Sequence, residues 1–182
     1  MTSSETGTPP RPSIRRVVLE DARRIAEINV ASWRAAYRGL MPAEFLASIS
    51  IDAREMAWRS RLESDEAELE PGWVAEVDGE PIGYAVSGPP RDEDVSTSAA
   101  EVYAIYVHPS AWRSGAGRSL LEAATAEWRA RGASELVLWV LEGNERARSF
   151  YEALSWTADG SRQEYDMDGF STLEVRYRLP LR

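Results

Sequence analysis

Two glycines one residue apart, Gly115 and Gly117, stand between Arg113 and Arg118 and run without a gap into the spacing Leu120, Leu121, Ala124 and Trp128. Apolar residues at that spacing predict a helix opening near Gly115 or Gly117, and the first turn of any helix leaves backbone N–H groups without intrahelical partners. Unpaired donors, the positive end of a helix dipole and two guanidinium groups make residues Arg113, Ser114, Gly115, Ala116, Gly117 and Arg118 a candidate site for phosphate or pyrophosphate. Two common nucleotide motifs fail here. A P-loop ends in Gly-Lys-Ser/Thr, whereas Gly117 is followed by Arg118 and Ser119; the dinucleotide fingerprint requires a third glycine where Leu120 stands.

The elements that must position this loop follow from local patterning. EVYAIYV alternates Glu101, Tyr103, Ile105 and Val107 against Val102, Ala104 and Tyr106, which predicts a strand feeding the loop. After Gly132, ELVLWVLE is an unbroken apolar run, as expected of a buried strand joined in parallel to its neighbour by a right-handed helical crossover. Asn144 then caps a helix whose face is Ala147, Phe150, Tyr151 and Leu154. Upstream, Ser13–Leu19 alternates as a strand, and Asp21 opens a helix carrying Ile25, Ile28, Ala31, Ala35 and Ala36 that ends at Gly39. A short helical piece, AEFLASI, leads to a second long helix from Asp52 with Met56, Trp58 and Leu62, and then to the acidic run Glu63–Glu70, a solvated helix end or a lure for cations. Asp78-Gly79 between two β-rich segments predicts an antiparallel hairpin. The chain is expected to close with a strand at Thr157–Asp159, a polar loop SRQEYDMDGFS, and a last strand TLEVRYRLPL.

Composition bounds the function. The chain has 182 residues with the apolar and charged fractions of a globular protein, so one domain over 13–182 is expected behind a disordered Ser/Thr/Pro tail at 1–12. No run approaches a membrane span and the N-terminus lacks a secretion signal; a cytoplasmic location and no membrane partner are expected. The absence of cysteine agrees with a reducing compartment and excludes thiol nucleophiles, and one histidine, His108, gives no basis for a metal site. A net charge of −9 disfavours nucleic acid and favours cationic small molecules.

The loop resembles the pyrophosphate-cradling segment of the GNAT superfamily of acyl-CoA-dependent N-acetyltransferases: Val-x-Pro at a strand end, Arg or Gln, two residues, Gly, one residue, Gly or Ala, then a helix. Val107, Pro109, Gly115 and Gly117 fit, while Trp112 holds the Arg/Gln position with Arg113 one residue later. A second motif follows in the right order, with Asn144, Ala147, Phe150, Tyr151 and Leu154 matching and Ser155-Trp156 standing for Gly-Phe. The resemblance spans Ile14 to Leu179. It implies an α/β (α+β) fold with a mixed, centrally splayed sheet of about six to seven strands flanked by about four helices, and acetyl-CoA as co-substrate without a metal.

By that resemblance, backbone groups of Ile105, Tyr106 and Val107 hold the pantetheine arm and polarise the thioester carbonyl. Residues Arg113–Arg118 hold the pyrophosphate, Asn144 steadies the arm from the other side, and Tyr151 is the acid for the leaving thiolate. An alkylammonium of pKa near 10 must lose a proton before attack, at a cost of about 4 kcal/mol at neutral pH. Family members that use a glutamate on the strand after the helix have it near Trp139 here, so Glu101 is the chosen base; His108 and a water relay stay open. The acceptor pocket is expected from Trp33, Tyr37, Trp58, Tyr165 and Phe170, with Asp166 and Asp168 nearby. The expected reaction is acetyl transfer to a primary amine of a small molecule in a ternary complex, with a homodimer left open. The alternative is a non-catalytic acyl-CoA sensor, suggested by Trp139 at the glutamate position.

Overall fold

The structure is a computed structural model and describes residues 11–64, 70–167 and 170–181. Seven strands form one sheet: β1 (Ser13–Arg16), β2 (Gly72–Val77), β3 (Glu80–Gly88), β4 (Ala100–Val107), β5 (Glu135–Leu141), β6 (Thr157–Met167) and β7 (Phe170–Pro180), in the order β1-β2-β3-β4-β5-β7-β6. The helices are α1 (Ala22–Ala36), α2 (Ala43–Ser48), α3 (Ile51–Leu62), α4 (Ala116–Ala130) and α5 (Glu145–Glu152). The expected mixed fold is the observed one. Among the described residues no helix is long and apolar enough to cross a membrane.

The sheet is antiparallel except at β4 and β5, which α4 joins as a crossover. That parallel pair holds for only two residues, Ala100 with Leu136 and Glu101 with Val137. Beyond them the strands part. A bulge on β4 helps to open the gap: Val86 pairs with Ala104 and Ser87 with Val102, leaving Tyr103 as the extra residue, and an unpaired residue bends its strand. The two sides of the sheet bury different residues. Val102, Leu138, Val140, Val175 and Tyr177 pack with Leu121 of α4 and Tyr151 of α5, whereas Leu141, Tyr106 and Tyr165 pack with Trp33 of α1.

Local chemistry explains the turns. Asp78 and Gly79 both adopt positive φ, 53° and 81°, as a type I′ hairpin turn requires. Asp21 does not cap α1 with its side chain; its carboxylate accepts from the Val18 N–H and takes both arms of Arg15. Two expectations change. The first strand ends at Arg16 and gives way to a single 3₁₀ turn at Leu19–Asp21. The expected polar loop after Asp159 is strand: β6 and β7 form one long hairpin in which Ser161, Gln163, Tyr165 and Met167 are the more buried alternate positions. Asp159-Gly160 reads as a turn but forms an irregularity inside β6, Ala158 pairing with Tyr177 and Arg162 with Val175, with Gly160 at φ 89°. The expected tail lies almost wholly outside the described residues, as do the centre of the acidic run and Asp168.

Candidate active site

The parting of β4 and β5 opens a cavity of about 440 Å³, within the range of small-ligand sites. Its walls include Val102–Val107 of β4, Leu138–Leu141 of β5, Trp33 of α1 and Tyr37 at its C-cap, Asn144 and Tyr151 around α5, and Gln163, Tyr165 and Glu174 of the β6–β7 hairpin.

The β4 wall offers backbone groups by parity. His108 N–H donates to the Ile82 carbonyl and Tyr106 stands opposite Tyr84, so in an antiparallel ladder the peptide groups of Tyr106 turn toward β3 while those of Ile105 and Val107 turn toward the gap. The Val107 carbonyl is already taken, accepting from Ser32 Oγ at 2.9 Å and Trp112 Nε1 at 2.8 Å. The free edge therefore consists of the Val107 N–H and both groups of Ile105. Trp112, at the position where the motif carries Arg or Gln, serves as a strut: besides closing off that carbonyl it supports Arg146 of α5, whose guanidinium lies 3.4 Å from the ring centroid.

At the mouth of the gap, α4 begins at Ala116 with Gly115 as its cap at φ 91°. Arg113 also has positive φ, 68°. Among the described residues nothing accepts from the N–H groups of Gly115, Gly117 or Arg118; that of Ala116 donates to Ser114 Oγ at 3.3 Å. The two glycines serve different ends. A Cβ on Gly115 would meet open space, so that position is exposed to an incoming ligand and glycine answers the positive φ. A Cβ on Gly117 would lie 3.1 Å from the Phe150 ring, so its bareness seats α5 against α4. The side chains of Arg113 and Arg118 are exposed, and among the described residues the carboxylate that Arg118 reaches is that of Glu122, at 4.0 Å. Bare donors beside an open glycine, with a free strand edge behind them, fit a diphosphate followed by an amide-bearing arm.

Asn144 caps α5 through Oδ1, which accepts from the Ala147 N–H at 3.2 Å, and the residue is 8% exposed on the cavity wall. Tyr151 lies among Phe150, Trp156 and Tyr177, ring to ring, and reaches the cavity from the α4–α5 side. Burial pushes its phenol above the ordinary range. On the other side of the sheet Trp33 and Tyr37 meet edge to face, centroids 5.1 Å apart, with Tyr106 6.3 Å from Trp33. Burial, then Tyr106, raises the Tyr37 phenol well above its ordinary value. Tyr165 lines the same wall. Trp58 does not: it stacks edge to face on Tyr84 beneath α3. Phe170 packs in the neighbouring cluster without lining the cavity, and His108 bonds Ser110 away from it, its pKa lowered by burial.

Glu101 is 1% exposed at the narrow end of the gap, where both of its oxygens are held by Arg91 of the β3–β4 loop, through the guanidinium and the main-chain N–H. Trp139, at the place of the glutamate in some family members, donates from Nε1 to Asp92 at 2.9 Å. The residue that sequence reasoning passed over is Glu174 of β7. It lines the cavity, pairs across the ladder with Leu141 and Gln163, and accepts from Gln163 Nε2 at 2.9 Å. Burial pushes its carboxyl above the usual carboxylate range, against the pull of Gln163. The signal was present in TLEVRYR: Glu174, Arg176 and Arg178 occupy alternate positions, so one face of a strand flanked on both sides is wholly charged.

A sheet split between two parallel strands, with helix-terminal donors at the mouth of the split, is the architecture of an acyl-CoA-dependent transferase. Residues 24–156 match the model of the Acetyltransferase (GNAT) family, and the chain belongs to that family of acetyl-CoA-dependent N-acetyltransferases. It is 35% identical over 144 residues to the uncharacterized N-acetyltransferase YuaI of Bacillus subtilis strain 168, covering 79% of each chain. Its fold is similar to the PaiA N-acetyltransferase of Thermoplasma acidophilum, solved in complex with coenzyme A (TM-score 0.69, 22% identity, 90% of this chain and 97% of that one). It is also similar to yncA of Salmonella typhimurium, a putative acetyltransferase solved with acetyl-CoA (TM-score 0.70, 24% identity, 95% of each chain).

Proposed function

We propose that the protein transfers the acetyl group of acetyl-CoA to a primary amine of a small molecule by direct attack in a ternary complex. The observation that carries this reading is the single cavity in which the free edge of β4, the Tyr151 phenol and an aromatic wall with a carboxylate meet. With no cysteine in the chain, an acyl-enzyme on a thiol is excluded, and one shared cavity favours attack without an intermediate.

In this reading the N–H groups of Gly115, Gly117 and Arg118 hold the diphosphate, with Arg113 and Ser114 beside them and Ala116 opening the helix. Ile105 and Val107 pair with the pantetheine amides, Tyr106 faces the acceptor, and Asn144 steadies the arm from α5. Trp33, Tyr37 and Tyr165 seat the amine. When the thioester breaks, the electron pair leaves with sulfur. A thiol has a pKa of about 8.5 and even an ordinary phenol about 10, so handing a proton to the thiolate is uphill by about 2 kcal/mol, and more once burial has raised Tyr151. Tyr151 therefore serves chiefly by donating a hydrogen bond to sulfur as charge builds there.

Incubation with acetyl-CoA and a panel of amines should release free CoA thiol, and Tyr151→Phe should slow release by more than about tenfold. Tight acetyl-CoA binding without turnover on any amine, and no effect of that substitution, would instead favour a sensor of acyl-CoA, the reading that Trp139 suggests.

A further inference from the structure

We infer that Glu174, and not Glu101, takes the proton from the acceptor ammonium, while Glu101 positions the β3–β4 loop through Arg91. The inference rests on the acetyltransferase reading above.

In the tetrahedral adduct the entering nitrogen and the leaving sulfur are separate substituents of one carbon, so the base beside nitrogen and the donor beside sulfur must be two different groups reaching the same cavity. The β-strand alternation supplies that arrangement. Val175 and Tyr177 pack with Tyr151 in the cluster under α4 and α5, so Glu174, one residue from Val175, projects to the other face of the sheet. There it shares a wall with Tyr37 and Tyr165, on the side where Leu141 and Tyr106 pack with Trp33. The gap between β4 and β5 thus has a phenol on one side and a carboxylate on the other, both lining one cavity.

The surroundings of the two glutamates differ in kind. Glu101 gives both oxygens to a guanidinium and a main-chain N–H of Arg91, so its acceptor positions are occupied from within the fold. Glu174 has a neutral partner, Gln163 from β6, and no ion pair among the described residues. Facing it from β5 is apolar Leu141, from β6 Tyr165, from the C-cap of α1 Tyr37, and from β4 and its preceding loop Glu101, Asp92 and Arg91. Arg91 favours the anion, Glu101 and Asp92 oppose it, and burial opposes it most. A carboxylate so placed is a stronger base than a solvent-exposed one, and it lies beside the aromatic seat of the amine.

The ammonium gives one proton to the Glu174 carboxylate, which passes it to solvent. The nitrogen lone pair forms the C–N bond to the acetyl carbon, and the C–S bond breaks with its pair on sulfur. Of the two hydrogens still on nitrogen one leaves as a proton and one stays as the amide N–H, and the thiolate takes a proton from solvent, so that N-acetylamine, CoA thiol and one proton are formed from the alkylammonium and acetyl-CoA.

The test is thiol release by the wild-type protein and by Glu174→Gln and Glu101→Gln across pH 5–10, with amines of graded pKa, beside acetyl-CoA calorimetry and thermal melts. Glu174→Gln should melt and bind acetyl-CoA like the wild type while kcat/KM at neutral pH falls by about 10² or more. Its acid limb should move up to the pKa of each amine, and its deficit should shrink as that pKa is lowered, because a free amine needs no base. Glu101→Gln should keep the acid limb of the wild type whatever its rate. If Glu174→Gln retains that limb and loses less than about threefold, or if Glu101→Gln is the variant that loses the limb, the assignment falls and the transferase reading stands. If the wild type binds acetyl-CoA but acetylates no amine, both fall together.

Discussion

Arg176 offers the sharpest test of how the acceptor wall is held. It lies on β7 two residues beyond Glu174, is 2% exposed, and donates to Asp92, Asp94, Asp159 and Ser161, with its guanidinium 5.4 Å from the Trp139 ring centroid. Two of those carboxylates belong to the β3–β4 loop, so Arg176 ties that loop to the hairpin. Arg176→Met keeps the apolar stem and removes the charge. Breaking a buried ion pair from one side costs about 3–5 kcal/mol. Here Asp159 keeps Arg178 at 2.5 Å, Asp92 keeps the Trp139 N–H, and the Asp94 side chain is 66% exposed and adds little. The loss should therefore fall near the lower end, about 3 kcal/mol, or roughly 6–12 °C in melting temperature for a chain of this length. Calorimetry measures it, and the pH dependence identifies the cause. Burial raises the Asp159 carboxyl, but Arg178, the Ser161 N–H and Arg176 together pull it well below the usual range. A depressed folded pKa stabilises above the unfolded value of about 3.9 and is lost as pH falls through the folded one. The gap between wild type and variant should accordingly narrow as pH drops below about 4. A variant that melts within about 2 °C of the wild type at pH 7, or a gap that widens in acid, would refute the reasoning.

Gly115→Ala should cost about 1 kcal/mol by calorimetry, since φ is 91° and the new Cβ meets no atom, and should weaken acetyl-CoA binding by about tenfold or more because that methyl projects where the diphosphate is proposed to lie; an unchanged Kd would move the diphosphate elsewhere. Arg113→Ala and Arg118→Ala, measured by calorimetry at two salt concentrations, should each weaken acetyl-CoA binding by only about threefold to fivefold and flatten its salt dependence, because exposed charges are screened and the backbone donors remain. A loss of about 10² from either would transfer the grip from the main chain to that side chain.

The sequence by itself determined what depends on local chemistry. The crossover pair of strands, the glycine-capped α4, the Asp78-Gly79 hairpin and the Asn144 cap each follow from a few adjacent residues, and the two motifs they carry placed the chain in its family before any coordinates. The continuation of strand β6 beyond the expected Thr157–Asp159 was hidden because Asp159-Gly160 has the composition of a turn and becomes an irregularity only once Arg176 and Arg178 of the partner strand clasp Asp159. The splay itself was implied by the resemblance, but tertiary structure alone decided that β4 and β5 part just after Glu101, that Arg91 claims that glutamate, and that Trp112 takes the Val107 carbonyl. It also brought Glu174, more than seventy residues along the chain from Glu101, to the same cavity wall. Spacing along a chain reveals which residues share a helix face or a turn; the burial of a carboxylate and the charge beside it depend on strands that meet only when the sheet closes, and those are what separate a structural glutamate from a base.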